Sequence, residues 1–199
     1  MVQGIYFHIP YCLSKCRYCD FYSLGGSAQV PQAYVDALLR ELARLRWQLP
    51  GAPDTLYFGG GTPSLLRPAQ LAQLIDAAQP RAGAEITLEA NPETLTPALL
   101  RGFFAAGANR LSLGVQTAMD ESLRRMGRPH TAAQARQALL WAQEVGFTNL
   151  SGDVMLALPG YTQKELNATL ELLDSGGCTH ISCYLLKLEP GTPWGKAPP

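Results

Sequence analysis

The chain has 199 residues, 47% hydrophobic and 16% charged, a balance that suits one soluble globular domain with a sizeable core and argues against disorder. Sixteen Lys and Arg offset sixteen Asp and Glu, so no basic face for a polyphosphate backbone is advertised and nucleic acid is not an expected partner. No apolar run approaches the roughly 20 residues that span a bilayer, and the opening Met-Val-Gln-Gly-Ile-Tyr lacks the regions of a signal peptide; a cytoplasmic protein without a transmembrane segment is expected.

In chain order, short β-branched or aromatic runs alternate with longer helical stretches, the mark of βα units that build a parallel sheet. Strands are predicted from near Ile5, Thr55, Glu85, Arg110, Asn149 (through Val154 and Met155) and His180, at a mean spacing of about 35 residues, close to one βαβ repeat. After the first of them, Tyr34, Val35, Leu38, Leu39, Leu42 and Leu45 recur at helical spacing between Pro31 and Trp47, so one face of that helix packs on the sheet. Further on, Thr96-Pro97 offers an N-cap hydroxyl followed by a residue pre-set for the first turn. Thr131 with Gln134 and Thr162 with Glu165 have capping-box spacing, and Gly107, Gly146 and Gly176 sit where left-handed C-caps are wanted. Six right-handed crossovers give either an open doubly wound sheet or an incomplete barrel, and periodicity does not choose between them.

Five cysteines are present, and Cys12, Cys16 and Cys19 fall within eight residues, too tight a group to staple distant parts of a fold. Their C-x3-C-x2-C spacing lies on a loop directly after the first strand, where three thiolates can hold a cubane cluster and leave one iron free for a small molecule. The competing reading is a zinc site completed by Cys178, Cys183 or a His, but the paired C-x2-C spacing of such sites is absent. Cys178 and Cys183 otherwise read as small hydrophobes packed beside the sixth strand. His8 could face the cluster loop or simply pack, and His130, just ahead of the Thr131 cap, reads as a capping or surface residue.

The other unusual residues stand at the carboxyl ends of the strands, the face on which parallel α/β proteins bind ligands. Gly59-Gly60-Gly61-Thr62-Pro63-Ser64 follows the second strand, and its glycines let backbone approach a ligand closely. Glu89-Ala90-Asn91-Pro92 ends the third strand, Gly114-Val115-Gln116 the fourth, and Asp153 lies on the fifth. Each alone reads as a strand-end cap; four together beside a cysteine cluster read as one shared site.

These segments, with Tyr-Phe-His-Ile-Pro-Tyr-Cys ahead of the cysteines and Gly-Arg-Pro-His and Leu-Pro-Gly-Tyr-Thr after them, resemble in order the radical-SAM family of oxygen-independent coproporphyrinogen III oxidases and its heme-chaperone (HemW) branch. The likeness spans nearly the whole chain. It implies an α/β fold of the parallel (βα)6 partial TIM-barrel type over residues 1–190, with 191–199 beginning a linker to a C-terminal domain absent from this chain. It implies a [4Fe–4S] cluster on Cys12, Cys16 and Cys19, with S-adenosylmethionine chelating the fourth iron. Tyr6, Gly60, Gly61, Thr62, Glu89, Gln116, Arg128, Asp153 and Lys187 match positions that line the S-adenosylmethionine site. The implied chemistry is one-electron cleavage of the sulfonium to release a 5′-deoxyadenosyl radical, with the protein shielding and aligning.

Within the resemblance two branches differ. The oxidases carry a further cysteine two positions beyond the third, where this chain has Asp20-Phe21, and they have a longer segment ahead of the first strand. Both features favour the chaperone branch: heme or another tetrapyrrole as ligand, a heme-acceptor protein, an electron-donor protein, and transient contact with a membrane through an acceptor. Coproporphyrinogen decarboxylation in porphyrin biosynthesis is the alternative, and a truncated core without full activity is the third. No catalytic residue is assigned, and the three histidines leave the heme ligand open.

Overall fold

In the computed structural model, which describes residues 3–199, six strands, β1 (Gly4–Ile9), β2 (Thr55–Gly60), β3 (Glu85–Ala90), β4 (Arg110–Gln116), β5 (Asn149–Leu156) and β6 (His180–Leu185), form one sheet. Helices α1 (Gln32–Leu45), α2 (Pro68–Ala78), α3 (Pro97–Ala105), α4 (Asp120–Met126), α5 (Ala132–Val145) and α6 (Gln163–Ser175) connect them, and a single turn, α7 (Pro193–Lys196), follows β6. All five strand pairings are parallel and the spatial order is β1-β2-β3-β4-β5-β6. A doubly wound sheet reverses its order at a switch point. Here the order never reverses and β1 and β6 are both edges, so the choice that periodicity left open falls to the (βα)6 partial barrel.

The register explains which side holds the core. Phe7, Phe58, Leu88, Leu111 and Leu150 stand opposite one another across five strands, and each is essentially fully buried. They meet Val35, Leu42, Leu71, Leu74, Phe103, Leu139 and Leu172 from the helices, which cover this outer face. Phe7 stacks on Phe58 with centroids 4.7 Å apart, a geometry worth about 1 kcal/mol beyond the area it hides. Because side chains alternate along a strand, the neighbouring rows point the other way. Those rows hold Tyr6, Tyr57, Thr87 and Arg110, then Glu89, Ser112 and Ser151, then Asp153 and Ser182. The inner face is therefore polar, and the strands read as alternating rather than as the continuous apolar runs of sheets buried on both sides.

The helix ends follow the sequence with two differences. Thr96 and Thr131 accept hydrogen bonds from the Leu99 and Gln134 amides, and Gln134 answers with its side chain. Thr162 likewise caps α6 through the Glu165 amide, but the Glu165 carboxylate does not close the box. It is turned inward, 6% exposed, and accepts the Thr117 hydroxyl at 2.6 Å. Gly107 and Gly146 adopt left-handed backbone, whereas α6 ends one residue later than expected, with Gly176 at φ −84° and Gly177 at φ +69°. No helix among the described residues is long and apolar enough to cross a membrane.

Candidate functional site

A cavity of about 400 Å3 opens at the carboxyl ends of the strands, walled on one side by the cysteine loop and on the other by the inner face of the sheet. The loop after β1 doubles back on itself. Cys12 N–H donates to Leu24 O at 2.9 Å, Ser27 N–H to Cys12 O at 2.9 Å, and Cys19 N–H to Cys16 O at 3.2 Å. The three thiols all face the cavity, Cys12 buried and Cys16 and Cys19 half-buried, and no cysteine is in a disulfide. Burial pushes the Cys16 thiol above its ordinary value, the Arg128 guanidinium pulls it back, and Cys19, Glu93 and Cys12 push it up again.

Opposite the thiols, each polar residue is aimed by a neighbour. Glu89 accepts the Tyr57 hydroxyl at 2.7 Å and the Gly60 amide at 3.1 Å; burial nevertheless holds its carboxyl above the usual range. Asp153 accepts the Ser112 hydroxyl at 3.2 Å and is likewise raised by burial. Gln116 reaches the cavity because β4 carries one extra residue against β5 between Leu113 and Gln116, a bulge that re-aims the chain. Gln116 itself sits at φ +67°, a left-handed conformation that a side-chain-bearing residue seldom adopts. Arg128 donates to Asn91 Oδ1 and to the Tyr18 hydroxyl, both at 2.8 Å. Burial would lower its basicity, but Tyr18, Cys16 and Glu93 raise it further, so the guanidinium stays charged. Gly114 makes room for this pair, since a Cβ there would lie 2.8 Å from Asn91 Oδ1.

Of the residues expected at the site, Cys12, Cys16, Cys19, Gly60, Gly61, Thr62, Glu89, Gln116, Arg128, Asp153 and Lys187 all line this cavity. Tyr6 does not: it stands on the inner face of the edge strand, stacked on Tyr57 and hydrogen-bonded to His8. Lys187 is at the rim, in an exposed ion pair with Glu189 at 2.6 Å. Tyr18, Ser112 and Tyr57, which hold or aim the others, were not singled out by sequence, and Asn91 was named only within its strand-end segment; the alternation that puts Tyr57 and Ser112 on the inner face was the available signal.

Of the remaining cysteines and histidines, Cys178 takes its expected packing role, whereas Cys183 and His130 depart from theirs. Cys178 packs half-buried against the core, but Cys183, on the edge strand β6, is exposed. His130, expected as a capping or surface residue, is instead buried, 3% exposed, with its ring nitrogens facing Glu93 and the Val115 carbonyl. His8 meets Tyr6 and the Tyr22 carbonyl.

Two features test whether a cluster and a small polar cofactor fit here. Gln116 Oε1 and Arg128 Nε are buried without a hydrogen-bond partner among the described residues, in the wall of the cavity, which leaves one acceptor and one cationic donor for a ligand. Among the described residues no three His, Cys, Asp or Glu side chains converge closely enough to grip one metal ion. A polynuclear cluster presents a separate iron to each thiolate, so it asks for thiols facing one cavity rather than one point. The residues fit.

The profile of the Radical SAM superfamily matches residues 6–173. Curated heme chaperones HemW of Escherichia coli and Bacillus subtilis are each 37% identical, over 98% and 96% of this chain and 53% and 52% of their own. The chain thus spans about half the length of the curated relatives it matches. The solved coproporphyrinogen III oxidase (HemN) of E. coli superposes with a TM-score of 0.85 at 29% identity, covering 95% of this chain and 45% of that one. The methyltransferase TsrM of Kitasatospora setae, solved with cobalamin and a [4Fe–4S] cluster bound, has a TM-score of 0.70 at 16% identity, over 98% of this chain and 38% of its own; it shares the fold.

Proposed function

The chain belongs to the radical SAM superfamily, and from that premise we propose that it is the cluster-bearing core of a cytoplasmic heme chaperone, which binds heme and hands it to acceptor hemoproteins. The family's cofactors are a [4Fe–4S] cluster and S-adenosylmethionine. In this reading Cys12, Cys16 and Cys19 hold three irons. Gly60, Gly61, Thr62, Glu89, Gln116, Arg128 and Asp153 receive S-adenosylmethionine, with Tyr6 and Lys187 at the margin. When bound, the pair supplies one-electron chemistry at the sulfonium, fed by an electron-donor protein.

The chain's own residues bind and orient. The Arg128 charge faces the cluster loop and offers its free Nε–H to an anionic group, and Glu89 and Asp153 suit a cationic or hydroxyl-bearing one. The burial of Cys12 would shield a cluster held there from water and oxidants on that side.

The observation that favours the chaperone over the oxidase is Phe21. It occupies the position at which the resembling oxidases carry a further cysteine, and its ring is 63% exposed at the mouth of the cavity. An apolar ring there suits a tetrapyrrole face. The deciding experiment titrates the reconstituted chain with heme, follows transfer to an apo-hemoprotein by the Soret band, and in parallel supplies coproporphyrinogen, S-adenosylmethionine and reductant. Heme transfer without decarboxylation supports the chaperone reading; carbon dioxide release from coproporphyrinogen overturns it. A cluster with neither activity points to a core that needs the rest of its relatives' length.

Asp153→Asn separates binding from folding. Burial raises this carboxyl in the folded chain above its ordinary 3.8. An acid raised on folding makes the fold less stable as pH climbs from its unfolded value through its folded one, so the ionised form is the disfavoured partner at neutral pH. The Asn variant is expected to melt at a higher temperature than the metal-free parent at pH 7. The same variant should bind S-adenosylmethionine about tenfold or more weakly, in keeping with the loss of a charge-assisted hydrogen bond. Calorimetric titration showing equal affinity would rule the binding role out.

A further inference from the structure

We propose that Trp194 and Tyr18 are positioning residues that fix Cys16 and Cys19, so that the turn after β6 latches the far half of the cysteine loop. The proposal takes the loop as the cluster site and asks what holds it.

The two halves of that loop are held by different means. Cys12 is secured within the segment between β1 and α1, through Leu24 O and Ser27 N–H, 12 and 15 residues downstream. Cys16 and Cys19 flank the pair Arg17-Tyr18, and that pair is gripped from remote parts of the chain. Arg17 N–H donates to Met126 O at the end of α4, and Arg17 O accepts the Trp194 amide of α7, both at 2.9 Å. The backbone of Arg17 is thus held through both its N–H and its C=O. Tyr18 adds two contacts: its ring lies 6.1 Å from the Trp194 ring, and its hydroxyl accepts from Arg128.

α7 is itself anchored. Thr192 caps it, accepting the Gly195 amide at 2.9 Å and donating to Glu189 O at 2.8 Å. The Trp194 side chain, 4% exposed, fills a small cluster made by Leu123, Met126, Met155 and Leu158, separate from the main core. A four-residue turn has little stability of its own, so Trp194 burial is what holds it, and with it the Arg17 carbonyl. The latch also reaches the ligand wall. Arg128 continues to Asn91, and Asn91 Nδ2 donates to Thr62 Oγ1 at 3.1 Å, joining the cysteine loop to the glycine-rich loop after β2. Trp194 lies outside residues 6–173, the span matched by the family profile.

The test reads the three thiols separately in the metal-free chain. Alkylation by a maleimide, quantified at each cysteine by peptide mass spectrometry, reports local opening of each half of the loop. Trp194→Ala is expected to speed labelling of Cys16 and Cys19 about tenfold while Cys12 changes less than about twofold, and Trp194→Phe, which keeps an aromatic plug, is expected to restore most of the protection. After reconstitution, the Ala variant should lose iron to a chelator faster than the parent. Unchanged rates, or one uniform rise at all three thiols, would overturn the latch in favour of a general stabilising role. Should Trp194→Ala fail to fold, Tyr18→Phe decides. It keeps the ring and removes the Arg128 link, so selective exposure of Cys16 and Cys19 upholds the proposal and unaltered labelling refutes it. Selective protection in a chain that takes up no iron would sink the cluster reading and leave the latch standing.

Discussion

Cys16→Ala is expected to remove the iron–sulfur chromophore and to leave the barrel folded. Cys16 sits half-buried on a loop and takes no part in the strand rows or the helix-facing core, so its truncation costs the fold about 1 kcal/mol or less. The cluster has no such reserve. Three thiols face the cavity, and Cys178 and Cys183, the other two cysteines, do not line it, so no fourth thiol is placed to replace Cys16. Iron and acid-labile sulfide in the anaerobically reconstituted variant are expected to fall to background, with an unchanged far-ultraviolet circular dichroism spectrum. Iron and sulfide equal to the parent's would overturn the ligand assignment.

Gly61→Ala is expected to do nearly as much damage without touching a ligand. A Cβ at this position would lie 2.7 Å from Tyr11 O, 2.9 Å from Cys12 Sγ and 3.0 Å from Ile9 O. Two of the three obstacles are backbone and cannot swing aside, and Gly61 N–H is already committed to Ile9 O at 2.9 Å. The cysteine loop must therefore back away, carrying the Cys12 thiol out of register with its partners. Overpacking of this kind costs about 1–3 kcal/mol, so the variant should fold with a lower unfolding midpoint and take up severalfold less iron. Gly51, whose surroundings are open, supplies the control: Gly51→Ala should leave both readouts alone. Full cluster loading in Gly61→Ala would mean that the close approach of the two loops is incidental.

Local features of the fold were legible in sequence because they are written within a few residues. Strand starts, the Thr96 and Thr131 caps and the first amphipathic helix all follow from spacing. The cysteine loop and the strand-end polar residues were visible for the same reason. What escaped depends on partners far apart in the chain. Tyr18 and Arg128 are 110 residues apart, Glu165 and Thr117 48, and His130 and Glu93 37. Glu165 had the right spacing for a capping box and lost that role to Thr117, a neighbour that spacing does not record. The bulge before Gln116 was equally hidden, since it exists only as a mismatch between β4 and β5. Trp194 fell in the segment read as the start of a linker, because nothing in its own segment names the pocket made by Leu123, Met126, Met155 and Leu158.

The alternation along the six strands has a consequence for how such a barrel can change. Phe7, Phe58, Leu88, Leu111 and Leu150 answer to the helices, while the residues one step along each strand answer to whatever enters the cavity. Two messages are interleaved in the same short segments, one addressed to folding and one to the guest. A lineage can rewrite every second letter and acquire a new guest while the packing that keeps the scaffold upright goes untouched.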